Sequence, residues 1–425
     1  MAETTNSNDN AYWDQSILDR NLKFYVLNGI LYTIVTCLYK PFSVKYIYRL
    51  NGTDSHVSLF NALPGLIAVF ATIPGILLMN KAKNRKKVMS FFFLFSRIFI
   101  LSFAFMPFIP KEYRPIVFVL LASFMNFPES VSTTALQSYC GDIFPEGEVP
   151  NAIASRNKFS TLANFVIMFI LGVLLGIIGE SEDAIMHTYQ IFFVLSFIVG
   201  LIEIKTFNEL EEVKHHDKED IRILETLKEI VSNKKYTVFI ICSLLFHFGW
   251  QMGWPLFNIY QIKYLGANET WLSIINITSG LVMFLSYNYW KNLIYKKGNS
   301  FVTAFATFGM ALTPIIFALS PNLYTITVAG LITGFFTSGT VTVLLNLLLE
   351  VSPEKNRVVY IAIHVTLTNI TLCISPLVGD QILKFSNIYI ALYVTALFRF
   401  IGSMSFTIRN LLINRNSNEK CNLNL

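Results

Sequence analysis

The chain has 425 residues, of which 53% are hydrophobic and only 14% charged, and it carries a net charge of +6. A soluble domain holds roughly 25% charged residues, so this chain has too few to cover a water-facing surface. That excludes a water-soluble enzyme and makes a lipid bilayer the expected solvent.

Residues 1–21 are polar and acidic through Glu3, Asp9, Asp14 and Asp19, with no basic start ahead of an apolar stretch. They do not read as a cleaved signal peptide, so the first apolar run is expected to stay in the mature protein. Twelve apolar runs follow, at roughly 22–39, 58–79, 88–109, 115–137, 159–179, 187–207, 236–260, 271–290, 300–320, 323–349, 358–379 and 387–408. Each approaches the ~20 residues that span a bilayer at 1.5 Å per helical residue. Runs of this length in lipid must be helices, because only a helix pairs all of its own backbone groups. The 38 phenylalanines suit lipid-facing surface.

The expected architecture is all-α, with twelve transmembrane helices in two related six-helix bundles. The bundles cover 22–207 and 236–409, a charged linker spans 208–235, and a tail covers 410–425. The linker carries Glu209, Glu211, Glu212, Lys214, Asp217, Lys218, Glu219, Asp220 and Arg222. Its later part, through Leu224, Leu227 and Ile230, has the apolar spacing of an amphipathic helix lying on the membrane. His215 and His216 are adjacent, point to different sides of a helix and read as solvated, not as metal ligands. Cys37, Cys140, Cys242, Cys373 and Cys421 are scattered without metal or disulfide spacing.

Basic residues gather at alternate loops. Lys81, Lys83, Arg85, Lys86 and Lys87 follow the second run, Arg156 and Lys158 open the fifth, and Lys291, Lys296 and Lys297 follow the eighth. Lys355 and Arg357 precede the eleventh, and Arg409, Arg415 and Lys420 follow the twelfth. The other loops hold fewer, Arg49, Lys111, Arg114, Lys263 and Lys384 among them. The positive-inside rule then puts both termini in the cytoplasm of a cell-membrane protein. The same distribution explains the net charge without nucleic acid.

The halves carry a trace of duplication. Asp142-Ile-Phe-Pro145-Glu146 leads through Ile153-Ala154-Ser155-Arg156 into the fifth helix. The pattern returns 208 residues later as Glu350-Val-Ser-Pro353-Glu354 and Ile361-Ala362-Ile363-His364. Matching positions in two six-helix halves are what transporters built from repeats show.

Three stretches make a resemblance specific. Lys40-Pro41-Phe42 through Asn51-Gly52, then Leu59 to Pro64, resembles the passage between the first two helices of bacterial major facilitator superfamily members. Gly75 to Val88 (GILLMNKAKNRKKV) resembles the family's signature loop, with the basic cluster kept and the signature aspartate and glycine replaced. The resemblance implies two bundles that rock about a central site lined by helices 1, 4, 7 and 10.

The residues themselves single out positions along these helices. His247, Gln251, Trp254 and Asn258 form one stripe of helix 7 at i, i+4, i+7 and i+11, with Trp250 beside it and Pro255 interrupting the backbone ladder. Hydrogen-bonding groups between indole walls suit a small polar or aromatic solute, while a polar seam gluing helices together is the plainer reading. Asn28 and Tyr32 on helix 1, Asn126 on helix 4 and Thr337 on helix 10 complete the expected substrate-binding set. Arg97 lies nine residues from Val88 and Glu129 nine from Ser138, so both sit about 14 Å deep. An unpaired charge there costs about 2.5–3.5 kcal/mol or more, which favours their pairing. Such a carboxylate is a candidate proton-coupling group, or part of a static ion pair. Asp142, near Arg85 and Arg156, fits the cytoplasmic latch that the resemblance implies, and an ordinary interfacial bridge equally. Arg399 is expected to snorkel or pair structurally, and Gly172, Gly176 and Gly179 on helix 5 resemble the glycine pattern of exporters in the family.

No GxxxxGKS/T, GxSxG or HExxH pattern is present, so no enzyme, cofactor or metal site is expected. The expected function is secondary active transport of a small organic solute by alternating access, coupled to protons, with export favoured and the chain acting as a monomer. The alternative is a transporter-like sensor or scaffold that carries nothing.

Overall fold

The computed structural model describes residues 14–82, 84–145, 148–178, 181–212, 229–230, 232–353 and 357–422. Lys83, Glu146, Gly179, Glu354, Lys355 and most of the linker, His215 and His216 included, lie outside them. The described residues form long helices and no strand: α1 (Gln15–Cys37), α2 (Asp54–Lys81), α3 (Arg85–Phe103), α4 (Arg114–Ile143), α5 (Val149–Ile178) and α6 (Glu182–Asn208). After the linker come α7 (Lys234–Ile259), a continuous stretch Glu269–Ala318, α10 (Leu323–Val351), α11 (Arg357–Phe385) and α12 (Ile388–Asn422). Gly298, at φ 79° and ψ 160°, breaks the continuous stretch into α8 (269–297) and α9 (299–318). A side chain there would be strained, so glycine is what lets the chain turn back into the membrane. Nine helices among the described residues are long and apolar enough to cross a membrane, counting α8 and α9 as one. With α2 and α3 the total is twelve.

Short polar side chains fix several helix starts. Asn84, Asn233 and Asn268 each accept from the backbone N–H three residues on, and Asn322 forms a reciprocal capping box with Thr325. Two segments depart from the hydropathy runs. α5 begins at Val149, about three turns before its apolar run, because Ser155, Arg156 and Lys158 extend the helix as its polar first part. Residues Ser43–Arg49 form a short helix where the sequence reads as a connecting passage.

The helices pack as two groups. Within the first, α1 meets α5 and α6, α4 meets α2 and α3, and α3 meets α6. Within the second, α7 meets α11 and α12, α8 meets α10, and α9 meets α12. The seam between them runs along α2 against α11 and α5 against α8. A methyl on Gly65 would come within 2.6 Å of the Asn369 carbonyl oxygen, so that glycine lets α2 and α11 touch.

Among the described residues, hydrogen bonds across the seam gather toward the end opposite the termini. Arg49 binds Glu269 through Nε (2.7 Å) and Nη2 (3.1 Å), and the Tyr189 hydroxyl donates to the same carboxylate at 3.0 Å. Lys263 pairs with Asp54 at 2.8 Å, Lys45 donates to the Ala267 carbonyl at 3.0 Å, and Thr270 donates to the Gly172 carbonyl at 3.1 Å. At the termini end, Arg85–Asp142 and Arg20–Glu209, each at 2.9 Å, stay inside the first bundle. The molecule is therefore cinched at one end.

Candidate functional site

The densest polar cluster sits between α3, α4 and α6. Arg97 directs Nε (3.0 Å) and Nη2 (2.8 Å) to Glu203 and Nη1 (3.1 Å) to Glu129. Its Cδ lies where a methyl on Gly200 would stand 2.6 Å away, so the glycine makes room for the guanidinium. The Ser96 hydroxyl donates to Glu129 Oε2 at 2.5 Å, and the Tyr32 ring stacks on Arg97 with its centroid 5.6 Å away. Glu129 Oε1 is enclosed without a hydrogen-bond partner among the described residues. The side chains of Arg97 and Glu203 are 0% and 1% exposed, whereas Glu129 keeps 13%. Of the three, Glu129 is the least buried.

Arg97 and Glu129 thus meet, as their equal depth predicts, but inside a triad. Glu203, near the end of the apolar run of α6 and beside Lys205, is not singled out by the sequence. The available signal is the charge itself, since a glutamate inside an apolar run calls for a cation.

The repeated motifs land on matching contacts. Arg156 on α5 reaches α1, donating from Nη2 to Asn28 Oδ1 at 3.0 Å and stacking on the Tyr25 ring at 4.7 Å. His364, its counterpart on α11, reaches α7, meeting Ser243 Oγ at 2.9 Å and lying 5.5 Å from the Phe239 ring. The two halves use one position in the same way, with a guanidinium in the first and an imidazole in the second. His247 joins the second group, its Nδ1 2.8 Å from the Ser243 carbonyl and its ring 5.8 Å from that of His364.

The helix 7 stripe divides. Gln251 is buried against α11, donating to the Thr368 carbonyl (3.2 Å) and accepting from the Thr371 hydroxyl (2.6 Å). Asn258 bonds the Trp254 carbonyl of its own helix at 3.0 Å. Trp254 is 38% exposed and packs edge-on against Trp250 at 6.3 Å. Asn126 bonds the Ala122 carbonyl on its own helix, and the Thr337 hydroxyl turns to the Met310 sulfur. Asn28 is 1% exposed and donates to the Glu203 carbonyl, tying the Arg156 contact to the triad. Arg85 pairs with Asp142, while Arg156 turns inward to Asn28.

Arg399 does not snorkel. It is 1% exposed and donates to the carbonyls of Gly249 (3.1 Å), Trp250 (3.0 Å) and Met310 (3.1 Å) and to the Thr313 hydroxyl (2.5 Å).

A sequence model described as Major Facilitator Superfamily matches residues 24–288 and again 239–419. The chain belongs to the major facilitator superfamily. Solved structures agree on the fold of this facilitator at low identity. A point mutant of the nucleoside transporter NupG superposes with a TM-score of 0.71 at 14% identity, over 91% of this chain and 99% of that one. A bacterial homologue of the human lysosomal transporter Spinster, inward-facing and unoccupied, gives 0.68 at 12% identity, over 94% and 98%. A POT family transporter in complex with 5-aminolevulinic acid gives 0.65 at 10% identity, over 93% and 95%. No curated protein sequence matches this one. The facilitator is therefore a multi-pass membrane transporter and not an enzyme.

Its interior offers two chemistries. The first bundle holds ionisable groups bonded to one another, with one carboxylate oxygen left over. The second presents indoles, imidazoles and an amide anchored to neighbouring helices.

Proposed function

We propose that this facilitator is a secondary active transporter that carries a small organic solute by alternating access, driven by protons that load and leave Glu129. The observation that carries the reading is the Arg97–Glu129–Glu203 triad. One guanidinium serves two carboxylates, and the more accessible carboxylate has an unused oxygen. A proton on Glu129 releases one of the two ionic demands on Arg97 while Glu203 keeps its bidentate hold, so the proton changes the cluster without unfolding it.

The ion pairs cinched at one end supply a lock for the rocking motion. With both termini in the cytoplasm, that end is the outer one and the arrangement is inward-facing. Opening it requires Arg49–Glu269 and Lys263–Asp54 to part. Of the expected latch residues Arg85, Asp142 and Arg156, the first two pair with each other within the first bundle and the third turns to Asn28. The glycines of α5 do not bear on direction, since Gly172 and Gly176 face Ser273 and Thr270 across the seam. The proposal is therefore made without an export preference.

The test uses purified protein in vesicles that trap a pH-sensitive dye, challenged with a panel of small organic solutes. A solute that moves protons through the wild type should move none through Glu129→Gln, while solute exchange without a gradient persists. Unchanged proton movement in Glu129→Gln would remove Glu129 as the coupling group.

A further inference from the structure

Not every guanidinium buried among the helices has a carboxylate partner. Three guanidiniums lie among the helices, Arg97 and Arg156 in the first bundle and Arg399 in the second. Arg97 takes both carboxylates, Glu129 and Glu203. Arg399 is 1% exposed and fully engaged by three carbonyls and a hydroxyl, with the Phe257 ring 5.1 Å from its guanidinium carbon, so nothing further can reach it. Arg156 is different. It is half-buried and bonds the neutral side-chain oxygen of Asn28, and no carboxylate lies within 4.0 Å of it among the described residues.

Its setting favours a planar anion. Tyr25 stacks on one face of the guanidinium, fixing its plane, and the aliphatic part lies against Gly29, where a methyl would meet Arg156 Cγ at 2.5 Å. One edge is committed to Asn28, which leaves other N–H groups of a rigid fork for a two-oxygen acceptor. Arg156 lies seven residues inside α5 from Val149, about 10 Å from the helix end, on the termini side of the triad. The position equivalent by repeat, His364, is 9% exposed and closed off by Ser243 and Phe239, so of the two repeat positions only Arg156 is accessible.

Asn28 also connects this cation to the triad. It accepts from Arg156 and donates to the backbone carbonyl of Glu203, whose carboxylate holds Arg97, which in turn holds Glu129. An anion that moves Arg156 therefore pulls on the element that sets the Glu129 environment.

We propose that Arg156, framed by Tyr25 and Asn28, receives the acid group of an organic monocarboxylate, the class of solute this transporter carries. The inference rests on the transport reading above and deepens it. The bound monoanion gives Arg156 the carboxylate partner it lacks among the described residues, and a proton on Glu129 then travels with it. A single accessible guanidinium suits one carboxylate and disfavours di- and tricarboxylates, which need a second fixed cation.

The experiment is ligand binding to the full chain in detergent, read by thermal shift and tryptophan fluorescence, without any flux. The probes are matched pairs, benzoate with benzamide and indole-3-acetate with indole-3-acetamide, plus benzylamine and chloride at equal ionic strength. At least one acid should bind about tenfold or more tighter than its amide, as expected for hydrogen bonds to a charged group. That preference should vanish in Arg156→Gln and weaken in Arg156→Lys, which keeps the charge and loses the fork. An acid that binds no better than its amide, chloride or benzylamine overturns the proposal, as does an acid preference that survives in Arg156→Gln. If Arg156→Gln does not fold, Arg156→Lys and the probe pairs on the wild type still decide. Binding is read without proton movement, so failure here leaves the Glu129 test standing, and failure there leaves acid binding measurable.

Discussion

Arg97 in the first bundle and Arg399 in the second are 0% and 1% exposed, yet different chemistry surrounds them. Arg97 is held by two carboxylates, Arg399 by three backbone carbonyls and a hydroxyl. A guanidinium among carboxylates has partners that can take up a proton. One among carbonyls has partners that cannot, so its surroundings stay the same at every pH. The same contrast recurs at the repeat position, where Arg156 stays accessible and His364 is closed in. On the proposed reading the first bundle carries the carboxylate that takes up the proton, and the second holds Arg399 among neutral groups beside Trp250.

Substitutions can break this contrast. Arg97→Gln leaves two carboxylates facing each other in the membrane and should destabilise the protein by about 3–5 kcal/mol, read by thermal unfolding in detergent. Adding Glu203→Gln should recover much of that loss, because the desolvated charge goes with it. If the double variant is no more stable than the single one, charge is not what Arg97 balances.

Arg399→Met removes a cation without stranding an anion. Its cost should be smaller, roughly 1–3 kcal/mol for the oxygens left without a donor. The number of protons moved per solute should stay as in the wild type. A change in that ratio would mean the second bundle takes part in coupling.

At the cinched end the effects should be smaller again. Lys263, 54% exposed, should contribute less than about 1 kcal/mol through Asp54, so Lys263→Gln should unfold close to the wild type. A larger loss would make this pair, rather than the bidentate Arg49–Glu269, the principal fastening of the seam.

The helices were legible because hydrocarbon thickness imposes a length on apolar runs, and the break at Gly298 falls between the eighth and ninth runs. The short helix at Ser43–Arg49 was not legible, since seven residues carry no periodicity that separates them from a loop. In the site, the Arg97–Glu129 contact was readable because depth can be counted from helix ends. Glu203 was not, because choosing among partners at one depth depends on how α6 is rotated. The same limit explains Gln251, whose place on the helix 7 stripe is correct while its amide is bound to Thr368 and Thr371 on α11. Helical periodicity gives a face. It does not say which neighbour covers it.

The central claim is that Glu129 is the group that gains and loses a proton. Infrared difference spectra of the purified protein between acid and neutral pH test it most directly, through the carbonyl stretch of a buried protonated carboxyl group. The account predicts a band in the wild type and in Arg399→Met that is absent from Glu129→Gln. A band that persists unchanged in Glu129→Gln, or that disappears only in Glu203→Gln, would contradict it.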